Sequence, residues 1–272
     1  MTSIAEKRTA FRALHERGTF VLPNPWDAGT AVALERLGFR AVATTSAGFA
    51  FSRGLPDMAV SRDAMIAHVR EIVAATALPV NADLEDGLGA TPAEVAETVR
   101  RCVEAGAAGL SIEDATGDAA EPLYPLEIAI VRLRAARSAI DDTGADVLLT
   151  GRSEGFIWGR PDLAETLRRL VAYADAGADC LYAPGLRTRD EIAAVVAAVA
   201  PRPVNVLVSA PGPTVAELAA LGVRRVSVGS SLARAAWTAF LRSAREIAER
   251  GTFEGFAGAV PYGEMNALFR RG

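Results

Sequence analysis

The chain is poor in sulfur, imidazole and aromatic side chains, and each shortage excludes something. Two cysteines, Cys102 and Cys180, stand far apart in 272 residues, each in an apolar context. A disulfide framework is therefore excluded, and both read as buried free thiols. The two histidines, His15 and His68, lie in helical patterns away from every strand end. That excludes a three-histidine zinc site and leaves a histidine base without a candidate. Aromatics are only 6%, so the packing units are small. Excess positive charge is also missing: the net charge is -4 and the pI near 5.4, against the pattern of a general nucleic-acid binder. No apolar run approaches membrane-spanning length, and residues 1–12 carry charges without a signal-peptide core. The expectation is a soluble cytoplasmic protein with neither a nucleic-acid nor a membrane partner.

What is present is a repeating pattern in a composition that is 50% hydrophobic and 23% charged. Strands are predicted at 19–22, 41–44, 79–82, 109–112, 147–150, 180–182, 204–207 and 225–228. Between them, apolar residues recur at three- and four-residue spacing, as over 92–104, 126–140, 162–176 and 190–199. Thr91-Pro92-Ala93-Glu94 offers an N-cap, a first-turn proline and an early acid, and Arg160-Pro161-Asp162 plays a similar part. Gly106, Gly177 and Gly222 fall where a left-handed C-cap returns the chain to the sheet. Eight such units without a linker predict a (β/α)8 TIM barrel as one domain over 1–272, with 236–272 as a C-terminal helical extension. A doubly wound sheet would need a glycine-rich phosphate loop after the first strand. Pro23-Asn24-Pro25-Trp26-Asp27 stands there instead.

In such a barrel the site lies at the C-terminal ends of the strands. Val80-Asn81-Ala82-Asp83-Leu84-Glu85-Asp86-Gly87-Leu88-Gly89 places acids directly after an apolar run and before glycines. Gly109-Leu110-Ser111-Ile112-Glu113-Asp114 repeats the arrangement one unit later. The remaining ends supply Asn24, Trp26 and Asp27; Thr44 to Gly48; Arg152, Ser153 and Glu154; Tyr182; Asn205; and Ser227 to Ser231. So many carboxylates need a cation to stay ionised together, and oxygen donors suit a hard cation such as Mg²⁺. Arg152 has the geometry of a bidentate clamp for a carboxylate or phosphate. Together these groups suit a small, multiply charged oxyanion. Plainer readings stand beside these: Asp86 and Asp114 as caps, Ser230 and Ser231 as an N-cap, and Arg152 as an ion pair with Glu154 or Glu113.

Asn81-Ala82-Asp83-Leu84-Glu85-Asp86-Gly87, Ser111-Ile112-Glu113-Asp114, Thr150-Gly151-Arg152-Ser153-Glu154 and Gly54-Leu55-Pro56-Asp57 resemble the isocitrate lyase/phosphoenolpyruvate mutase superfamily, in order and spacing, from about Leu22 to Ala235. The resemblance implies a barrel whose last helix is exchanged between subunits of a homodimer or homotetramer. It implies Mg²⁺ or Mn²⁺ held by Asp83, with Asp57, Glu85 and Glu113 contacting it largely through water. It also implies that Thr45, Ser46 and Ala47 hold a substrate carboxylate or phosphonyl group, and that Arg152 clamps another oxygen. Asp57, Glu113 and Arg152 are the catalytic candidates. Trp26, Tyr182 and Asn205 join Thr45, Ser46, Ala47 and Arg152 as substrate-binding candidates. Members act on 2-oxo acids or their aldol-type adducts through an enolate of pyruvate or a relative.

One departure bears on the reaction. Lyases of this superfamily carry Lys-Lys/Arg-Cys-Gly-His after the Glu-Asp pair, on a gate whose cysteine protonates the enolate; the mutase and hydrolase carry a lysine there. Here Ala115-Thr116-Gly117-Asp118-Ala119-Ala120-Glu121-Pro122-Leu123-Tyr124 has no Cys, Lys or His. The expected activity is Mg²⁺-dependent cleavage of a carbon–carbon bond in a small 2-oxo acid or dicarboxylate, by retro-aldol cleavage or decarboxylation, with protonation by water or Tyr182. The alternatives are phosphorus–carbon chemistry on phosphonopyruvate and an idle barrel that only binds metabolites. The tail from Gly251, with Phe253, Phe256, Tyr262 and Phe269, is suited to cover a partner subunit or the mouth.

Overall fold

The computed structural model describes residues 2–270. Its elements, in order, are α1 (Ile4–Glu16), β1 (Phe20–Leu22), α2 (Ala28–Arg36), β2 (Val42–Ala43), α3 (Ser46–Ser52), α4 (Arg62–Ala75), β3 (Val80–Asp83), α5 (Pro92–Glu104), β4 (Gly109–Glu113), α6 (Leu126–Asp142), β5 (Leu148–Arg152), α7 (Leu163–Asp175), β6 (Cys180–Tyr182), α8 (Arg189–Val199), β7 (Val204–Leu207), α9 (Val215–Ala220), β8 (Arg225–Ser227), α10 (Ser231–Arg250) and α11 (Tyr262–Phe269). All eight expected strands form, within a residue or two of their predicted ends.

The strands make one parallel sheet in the order β1-β8-β7-β6-β5-β4-β3-β2. The gap between β1 and β2 is bridged by the Ala43 amide donating to the Pro23 carbonyl at 3.0 Å and by Asn24 Nδ2 donating to the Thr44 carbonyl at 2.9 Å. Pro23 has no N–H to return, so this last seam carries fewer bonds than a full ladder. The result is a nearly closed (β/α)8 barrel.

Strand residues alternate sides. Val80, Ala82, Leu110, Ile112, Leu149, Leu181, Val204, Val206 and Val226 join the main core beneath the helices. Their neighbours Asn81, Asp83, Ser111, Arg152, Tyr182, Asn205, Arg225 and Ser227 line a cavity inside the barrel. Barrels of this kind usually fill their interior with branched aliphatics; here the middle of the interior is polar. The apolar plug lies below it. Phe11, fully buried on α1, packs with Phe20, Leu22, Ala41, Ala43, Ala108 and Leu148. A Cβ on Gly109 would come within 2.5 Å of the Phe11 ring, so β4 begins with glycine because α1 closes the floor there.

Helix boundaries follow from capping. Thr91 and Glu94 form a capping box at α5, and Asp162 accepts from the Glu165 amide at α7, each satisfying amide donors that the helix leaves free. Gly106, Gly177 and Gly222 all adopt positive φ. The expected cap at α10 differs: Ser230 is the N-cap residue but its side chain makes no capping bond. Among the described residues no helix is long and apolar enough to cross a membrane.

Candidate active site

The cavity, about 150 Å³, opens at the C-terminal ends of the strands. Asp83 ends β3 and is held from two sides. Its Oδ2 accepts from the Ser46 amide at 3.0 Å and the Ser46 hydroxyl at 2.9 Å. Its own amide donates to Thr44 Oγ1 at 2.8 Å. Ser46 begins α3, so the carboxylate meets amides at a helix start, where negative charge is favoured. Thr45 caps α3 by accepting from the Gly48 amide. Thr45, Ser46 and Ala47 all line the cavity.

Arg152 sits among three carboxylates. Its Nη1 lies 2.8 Å from Glu113 Oε2 and 3.4 Å from Asp83 Oδ1, and its Nε pairs with Glu154. Nη2 makes no hydrogen bond among the described residues, and the guanidinium stacks over the Tyr182 ring at 5.1 Å. The register aligns Glu113 with Arg152 and Arg152 with Tyr182, so three neighbouring strands deliver these groups to one level. Burial raises Glu113 well above the ordinary carboxylate range, with Arg152 pulling it back. Burial likewise raises Glu154, again opposed by Arg152, and pushes the Tyr182 phenol up to about 12.

Glu85 adopts a left-handed φ of 51°, strained for a residue with a Cβ. The turn buries its carboxyl, and its Oε1 has no hydrogen-bond partner. Burial first, then the charges of Asp83, Asp57 and Asp86, raise its pKa to about 8. Asp57, on an exposed turn, reaches the cavity, and desolvation followed by Asp83 raises its pKa. Among the described residues no three acidic, histidine or cysteine side chains converge closely enough to grip an ion directly. The donors fit a cation that keeps much of its water: they are all oxygens, they crowd one another, and Glu85 Oε1 waits unpaired.

Several predicted residues have other places. Trp26 is not among the residues lining the cavity; with Ser52, Ala236, Trp237 and Phe240 it lines an apolar groove beside α10. Asn205 lines the cavity, but both its amide atoms are engaged, with Ser227 and Arg225. Asp114 is a buried anchor, accepting from the Glu154 amide (2.7 Å), Arg169 (3.0 Å) and Tyr173 (2.6 Å). Asp86 accepts from the Leu88 amide, Tyr124 and Arg132. Both acids tie down the two ends of the 115–124 segment. That segment closes on itself through an Ala115–Leu123 bridge, and its Gly117 packs on Met58. His15 and His68 are buried packing residues, and both thiols are free and buried.

Arg225 escaped the sequence reading. It is 2% exposed, lines the cavity, and its side chain hydrogen-bonds with Asn205, Thr150 and His15. The strand alternation carried the signal: in Arg225-Val226-Ser227 the first and third residues face inward.

An acidic rim on a (β/α)8 barrel, with one arginine among its carboxylates, defines an enzyme-type site for a small anion. The comparisons make this specific. Residues 11–248 match the family model described as phosphoenolpyruvate phosphomutase, and the chain belongs to this family, within the isocitrate lyase/phosphoenolpyruvate mutase superfamily. It is 36% identical over 262 residues to an uncharacterized protein of Mycobacterium tuberculosis, covering 95% of each chain. A Burkholderia cenocepacia structure described as a lyase/mutase matches with 54% identity and a TM-score of 0.94, over 98% of this chain and 97% of that one. A structure of oxaloacetate acetylhydrolase with its product oxalate matches with 26% identity and a TM-score of 0.87, over 98% and 95%. Superfamily relatives are lyases, decarboxylases and mutases.

Proposed function

We propose that this protein is a Mg²⁺- or Mn²⁺-dependent lyase or decarboxylase that cleaves a carbon–carbon bond in a small 2-oxo acid or dicarboxylate by way of an enolate. The observation that carries the reading is Asp83, fixed by Ser46 and paired with Arg152 at 3.4 Å on the cavity wall. Asp83 is the proposed metal residue, with Asp57, Glu85 and Glu113 acting through water. A bound divalent cation supplies a Lewis acid that draws electron density from the 2-oxo group.

The chain's own residues do the rest. The Ser46 and Ala47 region at the start of α3 receives a carboxylate, as helix N-termini do. Arg152 offers Nη2 to another substrate oxygen and stabilises the charge that develops there. Glu113 and Glu154 hold the guanidinium in place, and the Tyr182 ring shields it from water. The 115–124 segment, part of which lines a separate pocket with Glu165 and Arg169 of α7, carries no acid beyond Asp118 and Glu121. A cavity of about 150 Å³ suits a substrate of a few carbons.

Assembly is part of the proposal. On the 20-residue α10 only Ala233 and Glu246 are buried, while Leu232, Phe240, Leu241 and Ile247 are exposed. An apolar helix face of this length favours exchange of α10 with a second copy, in a homodimer or homotetramer.

The test is a panel of 2-oxo acids and their hydroxy-dicarboxylate adducts incubated with Mg²⁺ and followed by mass spectrometry. The reading expects cleavage or decarboxylation of at least one. Release of inorganic phosphate from phosphonopyruvate alone would replace it with phosphorus–carbon chemistry.

A further inference from the structure

A buried cation ordinarily meets a carboxylate, because an unpaired charge away from water is costly. Arg225 is 2% exposed and forms no ion pair among the described residues. Its Nε donates to Asn205 Oδ1 at 2.9 Å and its Nη2 to Thr150 Oγ1 at 3.0 Å, while Nη1 faces His15 Nε2 at 3.4 Å. None of these partners carries negative charge. His15 Nδ1 lies 2.8 Å from the Phe11 carbonyl, which cannot donate, so the ring proton sits on Nδ1 and Nε2 accepts. Burial raises the Cys180 thiol, against the pull of Arg225, so it too stays neutral. Asp83, Glu113 and Glu154 are engaged with Arg152 instead.

Arg225 lines the same cavity as Asp57, Asp83 and Arg152, at its lower end. Its register neighbour on β1 is Phe20, which belongs to the apolar plug. The guanidinium therefore stands on the floor. Thr150, which accepts from it, lies two residues before Arg152 on the same face of β5, a drop of about 7 Å along the strand. Ser111 is level with Thr150 in the register and lines the cavity. Its hydroxyl makes only long contacts, at 3.4 Å and 3.5 Å, which leaves a second donor at that depth. Of the five N–H groups of a guanidinium, the bonds named above engage three in Arg225. The missing negative charge has one route in, the cavity itself.

We propose that Arg225 receives the far carboxylate of the substrate, so that the site selects a dicarboxylate over a monocarboxylate with the same head. This rests on the divalent-cation reading above. One end of the substrate stays at the level of Asp83 and Arg152, and the other reaches down the barrel to the remaining N–H groups of Arg225. A drop of about 7 Å suits a dicarboxylate of about four or five carbons. Arg225 is then a specificity-determining residue, and its neutral partners hold its fork in place without competing for its charge.

Three probes separate the contributions. Lactate and malate share a 2-hydroxy acid head and differ in the far carboxylate, and oxalate is too short to reach the floor. Each is titrated calorimetrically, with Mg²⁺, into the full-length protein. The wild type should bind malate at least about 10-fold more tightly than lactate, the scale of a charge-assisted hydrogen bond. Arg225→Met should bring malate down to the lactate level and leave oxalate binding nearly unchanged, which also shows that the variant is folded. Arg225→Lys should recover part of the preference. A crystal structure of the wild type with malate and Mg²⁺ tests the same contact without a variant, and should place the far carboxylate within hydrogen-bonding distance of Arg225.

Equal binding of malate and lactate by the wild type overturns the assignment. So does an undiminished preference in Arg225→Met, or a far carboxylate turned toward the mouth with an inorganic anion such as chloride on Arg225. If oxalate binds with Mg²⁺ while malate has no advantage, the role of Arg225 has failed and the divalent-cation reading stands. If oxalate does not bind while malate still outranks lactate through Arg225, the cation reading has failed and the carboxylate receptor stands.

Discussion

His15 is a base buried under the barrel in a place that permits only its neutral form. Its Nδ1 donates to Phe11 and its Nε2 accepts from Arg225, so protonation would set an imidazolium against a guanidinium at 3.4 Å. Burial first, then Arg225, lower its pKa from 6.5 to about 3. The sign follows. A base with a depressed folded pKa contributes stability in full above its unfolded value and loses it as pH falls toward the folded one. His15→Gln retains a donor and an acceptor and cannot titrate. Subtracting wild-type from variant stability therefore isolates the imidazole from the many carboxylates that also respond to acid. At 8% exposure little solvent screening discounts the effect. Between about pH 7.5 and about pH 5 the difference should move toward the variant by about 2 kcal/mol, at about 1.4 kcal/mol per pH unit below the unfolded pKa. Urea unfolding midpoints at fixed ionic strength measure it. A difference that stays flat across this range would refute the neutral, Arg225-bonded histidine.

Glu85→Gln should raise the stability of the metal-free protein by up to about 3 kcal/mol at neutral pH, because a carboxyl raised to about 8 stays protonated in the fold and costs stability above its unfolded pKa. The same change should weaken Mg²⁺ binding; thermal melts with and without Mg²⁺ report both effects. Gly109→Ala should destabilise by about 1–3 kcal/mol or more, since its Cβ would meet the Phe11 ring at 2.5 Å and Asn81 Oδ1 at 2.8 Å. Denaturant unfolding is the measurement, and a neutral result would mean that α1 does not seal the floor.

Where the sequence was legible, a short-range physical rule was at work. The β-rich runs and the capping phrases depend on neighbours a few residues apart, so eight strands and the ends of α5 and α7 emerged near their observed places. Asp83 and Arg152 were legible because strand ends in a barrel face one rim. The groove that Trp26 lines was not legible because a turn residue has no alternation to orient it, and the other lining residues Trp237 and Phe240 lie more than 200 positions away. Asp114 is the C-terminal neighbour of Glu113 at the end of β4, yet it turns away to Arg169 and Tyr173; only packing of α7 against the sheet decides that. The pairing of Arg225 with His15 was missed for a related reason. They meet across 210 positions, where α1 folds under a strand that arrives at the other end of the chain.

The proposed divalent-cation site for 2-oxo acid chemistry is built on Asp83. A calorimetric titration of Mg²⁺ together with oxalate into the wild type and into Asp83→Ala, with folding of the variant checked by circular dichroism, measures it directly. A saturable wild-type signal is expected, with a loss of affinity of about 100-fold or more in the variant, the scale of a lost charged contact of about 3 kcal/mol. Equal affinity in the two proteins would contradict it.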